Sequence, residues 1–395
     1  YAWMFLDSYK DLRKYLIYNL PICSLIQLEF NAFEVAALPV CTYILENTND
    51  NIEGIFIKLS DFPGTENQPI KALEAINNPN VDYMYRFYMQ DFEKINNRPF
   101  AYWISQGYKN VFAKATLLKE YAIPRQGMAT TDNKKFMRNW FEVDFHNIKF
   151  DSKNSEEAKN SNKRWFPYNK GGRYRKWYGN NEFIVDYYNN GEELINLVRE
   201  KYPNISDPEF VIKNRKYYFK SGITWTFISI DVGVRYFPNG FIFDVAGSSL
   251  FPDEDKLYYI LGFMCSKLMK QFLQMLNPTM NVQAGNVGNL PIIFDVNENE
   301  YITKVVKECI HISKEDWDSF ETSWDFNKHS LISKNTNNIE DAFDKWNSEC
   351  NERFNKLKSN EKELNKKFIE IYGLEKDLSS EILDKDITIR KADKE

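Results

Sequence analysis

Two short, mostly apolar runs, ICSLIQLEF (22–30) and PVCTYILEN (39–47), stand within the first fifty residues. Runs of this length, rich in Ile, Leu and Val and without polar alternation, read as strands buried on both faces, which exist only with other layers packed on them. Ahead of them, DSYKDLRKYLIYN (7–19) carries a helix start signal. Ser8 is placed as N-cap with Asp11 completing a capping box, Leu12, Tyr15 and Leu16 share one face, and Pro21 ends the run. Helix, strand, loop, strand is α/β material. Two strands do not make a domain, so residues 1–60 are expected to complete a sheet whose other strands lie upstream. The opening YAWMFL, apolar from the first residue, points likewise to a piece of something longer.

The rest divides by composition. Residues 48–80 have the Asn, Pro, Gly and Asp density of loops, and 61–150 is expected to be a connector. DSKNSEEAKNSNK (151–163) is polar and without period, an exposed loop. Strand signals then dominate to residue 255: KNRKYYFKSGITWTFISI (213–230) alternates and is rich in β-branched and aromatic residues, and GVRYFPNGFIFDV (233–245) reads as a hairpin about Pro238-Asn239-Gly240. A helix opens at Pro252-Asp253-Glu254-Asp255 and carries Leu257, Leu261, Met264, Leu268 and Met275 at helical spacing as far as Asn277-Pro278. NVQAGNVGNLPIIF (281–294) reads as a Gly-rich loop and a strand. Residues 151–295 are thus expected as a mixed α+β domain. Beyond residue 296 Gly nearly vanishes and Lys and Glu rise; in 351–373, Phe354, Leu357, Leu364, Phe368 and Ile371 form an apolar stripe with Gly373 at C′, so 296–395 is expected to be helical.

Net charge is −5, so an even distribution of charge would disfavour a polyanion as partner. The distribution is not even. Lys163, Arg164, Lys170, Arg173, Arg175 and Lys176 fall within fourteen positions with no acid among them, and Lys213, Arg215, Lys216 and Lys220 within eight. Trp165, Tyr168, Tyr174, Trp177, Tyr178, Tyr217 and Tyr218 lie between and around them. Nucleic-acid binding needs cations for phosphates and planar or hydrogen-bonding groups for bases, and Gly171-Gly172 would let the backbone come close to a phosphate. The candidate DNA-binding set is Lys163, Arg164, Lys170, Gly171, Gly172, Arg173, Arg175, Lys176, Trp177, Tyr178, Lys213, Arg215 and Lys216. The plainer reading of the same stretch is a solvated hairpin whose aromatics pack inward.

Catalytic signals are lacking. There is no G-x-S-x-G, Walker A loop or G-x-G-x-x-G, and AGNVGN (284–289) follows a helix instead of a strand. Cys23, Cys41, Cys265, Cys309 and Cys350 are odd in number and widely spaced, as in reduced core thiols, and His146, His311 and His329 have no metal-ligand spacing, so no metal is expected. With no long apolar segment the chain is expected to be soluble and cytoplasmic.

Several stretches, in order and across nearly the whole chain, resemble one family: WMFLDSYKDLRKYL (3–16), RPFAYWIS (98–105), GMATTDNKKFMRNWFEV (127–143), RWFPYNKGGRYRKWYGNNEFIVDY (164–187), GITWTFIS (222–229), GFIFDVAGSSLFP (240–252), LGFMCSKLMKQFLQMLNPTMNVQAGNVGNLPI (261–292) and ELNKKFIEIYGLEKDL (363–378). The sequence is similar to the adenine-specific DNA methyltransferases of bacteriophage exclusion (BREX) systems, called PglX, and more distantly to type IIG methylase-restriction enzymes. The resemblance implies N6-adenine methylation of double-stranded DNA with S-adenosylmethionine as donor, with other proteins of the defence system as further partners. It also implies terminal strands of a Rossmann-like methyltransferase sheet (1–60), a connector (61–150), a target-recognition domain (151–295) and the start of a helical C-terminal region (296–395). In such enzymes the cofactor pocket and the N/D-P-P-Y/F loop come earlier; neither motif occurs in this sequence, so no catalytic or cofactor-binding residue is expected here. Phe33 falls near where related enzymes hold an aromatic that stacks on the flipped adenine, with a plain core phenylalanine as the alternative. Two other functions compete: a stand-alone DNA-binding specificity module, and a protein-interaction scaffold docking through 296–395.

Overall fold

A computed structural model describes residues 1–33, 38, 40–226, 232–277, 282–333 and 336–392. Backbone packing divides the chain into two units, Tyr1–Ala115 with Leu273–Pro278, and Thr116–Phe272 with Thr279–Glu395.

In the first unit two single 3-10 turns, Ala2–Met4 and Asp7–Tyr9, precede α1 (Lys10–Tyr18). The expected Ser8 cap is not made: Ser8 lies inside the second turn, and Tyr9 precedes the helix without a side-chain cap. The fixed point is Arg13, fully buried, whose guanidinium donates to the carbonyls of Trp3 (2.8 Å), Leu6 (2.7 Å) and Asn97 (2.8 and 3.2 Å). All its acceptors are neutral, and burial lowers its pKa to about 10. Several charge-assisted bonds from one side chain outweigh a single serine cap.

The sheet of this unit has four strands, β1 (Ile22–Gln27), β2 (Cys41–Leu45), β3 (Glu53–Lys58) and β4 (Met84–Tyr88), in the order β2-β1-β3-β4. β1 and β3 are parallel and the other pairs antiparallel. β2 is an edge strand that exposes Thr42, Tyr43 and Ile44, which corrects the expectation that both early strands are buried on both faces. Composition alone does not tell an edge strand from a central one. β3 and α2 (Asn67–Asn77) occupy the stretch read as loop, because each is short and flanked by turn residues. Ile57, Leu59, Ala75 and Tyr83 pack between them. After α3 (Gln106–Lys114), capped by Ser105, the unit ends. Its aromatic core draws on residues 98–105: Phe56 stacks on Tyr102 at 4.7 Å, and Phe92 lies 4.4 Å from both Phe87 and Phe100.

The second unit begins with β5 (Thr116–Leu117), α4 (Asn133–Phe136), β6 (Met137–Asn139) and α5 (Ser155–Asn160), the last a short helix capped by Asn154 inside the expected 151–163 loop. β7 (Trp165–Asn169), β8 (Phe183–Asp186), α6 (Tyr188–Lys201), β9 (Gly222–Trp225), β10 (Val234–Phe237), β11 (Ile242–Phe243) and β12 (Ser249–Leu250) follow. They form two sheets, β11-β7-β8-β6 and β10-β9-β12. The expected hairpin is absent: β10 pairs antiparallel with β9, and β11 pairs parallel with β7, so Pro238-Asn239-Gly240 passes the chain from one sheet to the other. The run expected as one strand over 213–230 also divides. Arg215–Tyr217 is a 3-10 turn, β9 covers four residues, and 227–230 lie outside the described residues. Asn214 and Phe219, both at positive φ, break the extended backbone. Phe166, Tyr168, Val185, Leu194, Tyr218, Phe219 and Phe243 form the core of this part.

The helix expected from 253 is two, α7 (Glu254–Cys265) and α8 (Lys267–Leu276), separated at Ser266, whose hydroxyl donates to the Phe263 carbonyl while the Lys267 N–H donates to the Asn365 side chain. α9 (Ala284–Gly288), β13 (Pro291–Ile292, paired with β5), α10 (Asn299–Asp318) and α11 (Ile339–Tyr372) complete the unit. α11 ends as its sequence indicated, with Gly373 left-handed at φ +66°. Phe263 on α7 stacks on Tyr372 at 5.8 Å, and Tyr259 meets Phe368 edge-on at 5.4 Å.

Gly127 shows how tightly the strands are approached. The Met128 N–H donates to the Phe243 carbonyl at 3.0 Å, and a Cβ on Gly127 would stand 1.8 Å from that same oxygen. Gly127→Ala must push 124–128 off β11 and is expected to cost about 1–3 kcal/mol, read as a lower urea midpoint at unchanged slope.

Candidate nucleic-acid interface

Most of the first basic cluster is neutralised within the protein. Lys163 donates from Nζ to the His146 carbonyl, and Arg164 pairs with Asp186 at 2.6 Å and Glu193 at 3.2 Å. Lys170 reaches Asp244 at 2.7 Å, a carboxylate that also accepts from the Tyr168 hydroxyl. Arg175 pairs with Asp316 on α10 at 3.3 Å and lies over the Trp317 ring at 5.0 Å. Lys176 and Trp177 are buried, and both donate to Glu361 of α11, Trp177 through Nε1 at 2.7 Å. Burial works against the charged form of Lys176, and the adjacent Glu361 carboxylate more than offsets it, holding the ammonium above the usual lysine range. Tyr178 is buried too, its phenol pushed up to about 12. Arg173 alone of the six cations is exposed with no carboxylate or carbonyl partner among the described residues.

The aromatics of the segment pack inward, as the plainer reading had it, yet the segment is not a hairpin. Gly171 and Gly172 have φ of +86° and +117°, and the Gly171 N–H donates to the Asn169 side chain at 3.5 Å. Their carbonyls are acceptors: Gly171 takes a bond from Arg235 Nη2 at 3.1 Å and Gly172 one from the Thr226 hydroxyl at 3.4 Å. Arg235 is wholly buried and, among the described residues, donates only to neutral oxygens; burial, with Arg175 near, lowers its pKa to about 10. Trp177, at φ +70°, pairs through its backbone with Val234 and Tyr236, so β10 clamps the segment from the side opposite α11.

The second cluster differs in kind. Lys213 donates to the Gln126 side chain at 3.3 Å, and Arg215 to the Tyr187 hydroxyl and the Asn190 carbonyl, both at 3.2 Å. These acceptors are neutral. Lys216 and Lys220 are exposed, with their ammonium groups 5.4 and 5.6 Å from the centre of the Tyr217 ring. Arg125, which nothing in the sequence singled out, joins them with its guanidinium carbon 5.2 Å from the same ring. Phe33, in the first unit, is half exposed and so is not a core residue; Glu34–Ala37 beside it lie outside the described residues.

The mixed α/β fold with several small sheets has a solved counterpart in a type IIL restriction-modification enzyme, MmeI, determined in complex with DNA: TM-score 0.50 at 11% identity, over 90% of this chain and 43% of that one. The likeness defines the class of fold. No family model matches the chain. By sequence it is 36% identical over 404 residues to the adenine-specific methyltransferase PglX of Lacticaseibacillus casei (strain Zhang), covering 99% of this chain and 33% of that protein. It is 32% identical over 381 residues to the adenine-specific methyltransferase BrxX of Escherichia coli O9:H4 (strain HS), covering 94% and 29%. The chain is thus homologous, over nearly all its length, to the PglX and BrxX adenine-specific methyltransferases, and it spans about a third of the length of these relatives.

Glu361 offers a direct test of the structural role of the first cluster. Glu361→Ala leaves Lys176 buried without its counter-charge and Trp177 without an acceptor, and is expected to cost about 3–5 kcal/mol in urea unfolding, with Glu361→Gln milder. The folded-state pKa of Lys176 is raised above its ordinary value. The stability it contributes is therefore fully present below the ordinary lysine pKa and is lost only as pH climbs beyond it; in Glu361→Ala burial alone acts on Lys176 and pushes it down, so the Glu361→Ala deficit should shrink as pH rises toward the ordinary lysine pKa.

Proposed function

We propose that the chain is the DNA-recognition and partial catalytic portion of an S-adenosylmethionine-dependent adenine-N6 DNA methyltransferase acting in phage defence. The observation that carries this reading is the similarity to two named adenine-specific methyltransferases over 94–99% of the chain. In this reading unit one belongs to the end of the methyltransferase sheet, the α+β part of the second unit grips duplex DNA, and the α10–α11 region braces that grip.

Adenine N6 lies inside the duplex, so methylation requires the base to be turned out while the flanking helix is held. Holding the helix falls to cations with a free charged head. Of the expected set these are Arg173 and Lys216, with Lys213 and Arg215 bonded only to neutral groups; Lys170, Arg175 and Lys176 are committed to Asp244, Asp316 and Glu361. The donor's site does not fit the residues present. Past the end of β1, the Glu29 N–H donates to Gln68 and the Glu29 carboxylate accepts from the Asn31 N–H, and no glycine-rich turn occurs there for a cofactor to approach. S-adenosylmethionine is assigned to a part of such an enzyme that this chain does not span.

Binding of the chain to a mixed-sequence 30-base-pair duplex, titrated at several salt concentrations, tests the reading. Phosphate neutralisation predicts affinity falling linearly on a log–log plot, by about 0.9 in slope for each phosphate engaged. Absence of binding at low salt, or binding indifferent to salt, would favour the scaffold reading instead.

A further inference from the structure

Resting on the function just described, we propose that Arg125, Lys216 and Lys220, gathered about Tyr217, together with Lys213 on the Gln126 side chain, are the surface that takes the phosphate backbone of duplex DNA. The two basic clusters are nearly equal in sequence, but the structure spends their charge differently. In the first, Arg164, Lys170, Arg175 and Lys176 each meet a carboxylate. In the second, no member of the quartet meets one among the described residues. Asp253 and Asp255, which follow Phe251 in sequence, are met by Lys256.

Three like charges are brought to within 5.2–5.6 Å of a single ring centre. Attraction to the ring is worth about 0.5–1 kcal/mol for each exposed cation, which does not remove their mutual repulsion. The Arg125 Nε is buried and has no hydrogen-bond partner among the described residues, so this guanidinium is left partly unsatisfied. A polyanion offsets the repulsion among the three charges.

The backbone beneath is fixed before any ligand arrives. Arg125 exchanges two hydrogen bonds with Ser249, N–H to carbonyl at 2.8 and 2.9 Å, and Gly127 allows the following residues to lie against β11. Asn214, left-handed at φ +59°, donates from its side chain to the Gln126 carbonyl at 2.8 Å, and the Tyr218 hydroxyl donates to the Lys213 carbonyl at 2.8 Å. Residues 124–127 and 213–220 are thereby joined into one platform. Phe251 stacks on Tyr217 at 4.9 Å and 27°, and the cations stand over the same ring. The ring is thus taken up and does not serve as a platform for unstacked bases, which suits backbone contact with a duplex and not the stacking of a single strand.

The test compares the chain with a triple variant, Arg125→Gln, Lys216→Gln and Lys220→Gln, and with a charge-matched control, Lys366→Gln, Lys376→Gln and Lys385→Gln, on the same duplex. Thermal unfolding is recorded for each. The triple variant should lose duplex affinity by roughly a hundredfold or more at low salt, with the log–log salt slope smaller by about 0.9 per contact removed, while the control stays within a few-fold. If the triple variant unfolds, the pair Lys216→Gln and Lys220→Gln, both exposed, replaces it and should still lose roughly tenfold. Unaltered binding by a folded variant, or an equal loss in the control, overturns the proposal and leaves the recognition reading standing. No duplex binding by the unsubstituted chain overturns both.

Discussion

A single buried carboxylate organises the second unit. Glu361 projects from the middle of α11 and accepts from Lys176 and Trp177 of a segment far away in sequence. A carboxylate withdrawn from water is tolerated only with its acceptor sites filled, and an ammonium and an indole N–H fill them. Because Lys176 and Trp177 are held there, Arg175 is directed to Asp316 on α10, and the Trp177 backbone can complete its pairing with β10. The C-terminal helices are consequently part of the same fold as the small sheets. Residues 296–395 do not stand apart from the basic segment as a separate docking arm.

The same pairing explains why charge density along the sequence misjudged the basic segment. Counting cations in WFPYNKGGRYRKWYG gives a positive stretch, but the acids that cancel it lie 74, 141 and 185 residues away, just past β11 and on α10 and α11. Nothing in a local window reports such partners. By contrast, the helical stripe of Phe354, Leu357, Leu364 and Phe368, and Gly373 behind it, are local signals, and there sequence and structure agree, except that Ile369 is buried and Ile371, expected on the stripe, is only partly so. The capping box at Ser8 failed because Arg13, drawn inward to the distant Asn97 carbonyl, governs that turn. The hairpin at Pro238-Asn239-Gly240 failed because the turn was identified correctly while the partners of its flanking strands were not. Turn chemistry is written in a few adjacent residues; strand pairing is decided by what else the sheet offers.

The candidate site was legible in part for the same reason. Lys213, Arg215 and Lys216 were visible as a basic run. Arg125 was not, since it is brought beside them only by the bonds to Ser249 and by Gln126. What distinguishes the second cluster from the first is that none of its cations is paired with a carboxylate among the described residues, a property of three-dimensional packing that a count of charges does not contain.

The crossing at Pro238-Asn239-Gly240 also bears on how this unit comes to be made. β11 completes a sheet with β7, while β9 and β10, which lie between them in sequence, belong to the other sheet. On a chain emerging from the ribosome, β7 and β8 can pair early and Ile148–Lys149 can meet Trp165, but the rest of the far edge of β7 stays bare until residue 242 has been synthesised and the intervening strands have been set aside. Late closure of distant strands is slow and leaves an edge open to foreign strands. Pro167, in the middle of β7, removes one backbone donor from that waiting strand and makes it a poorer template for mispairing.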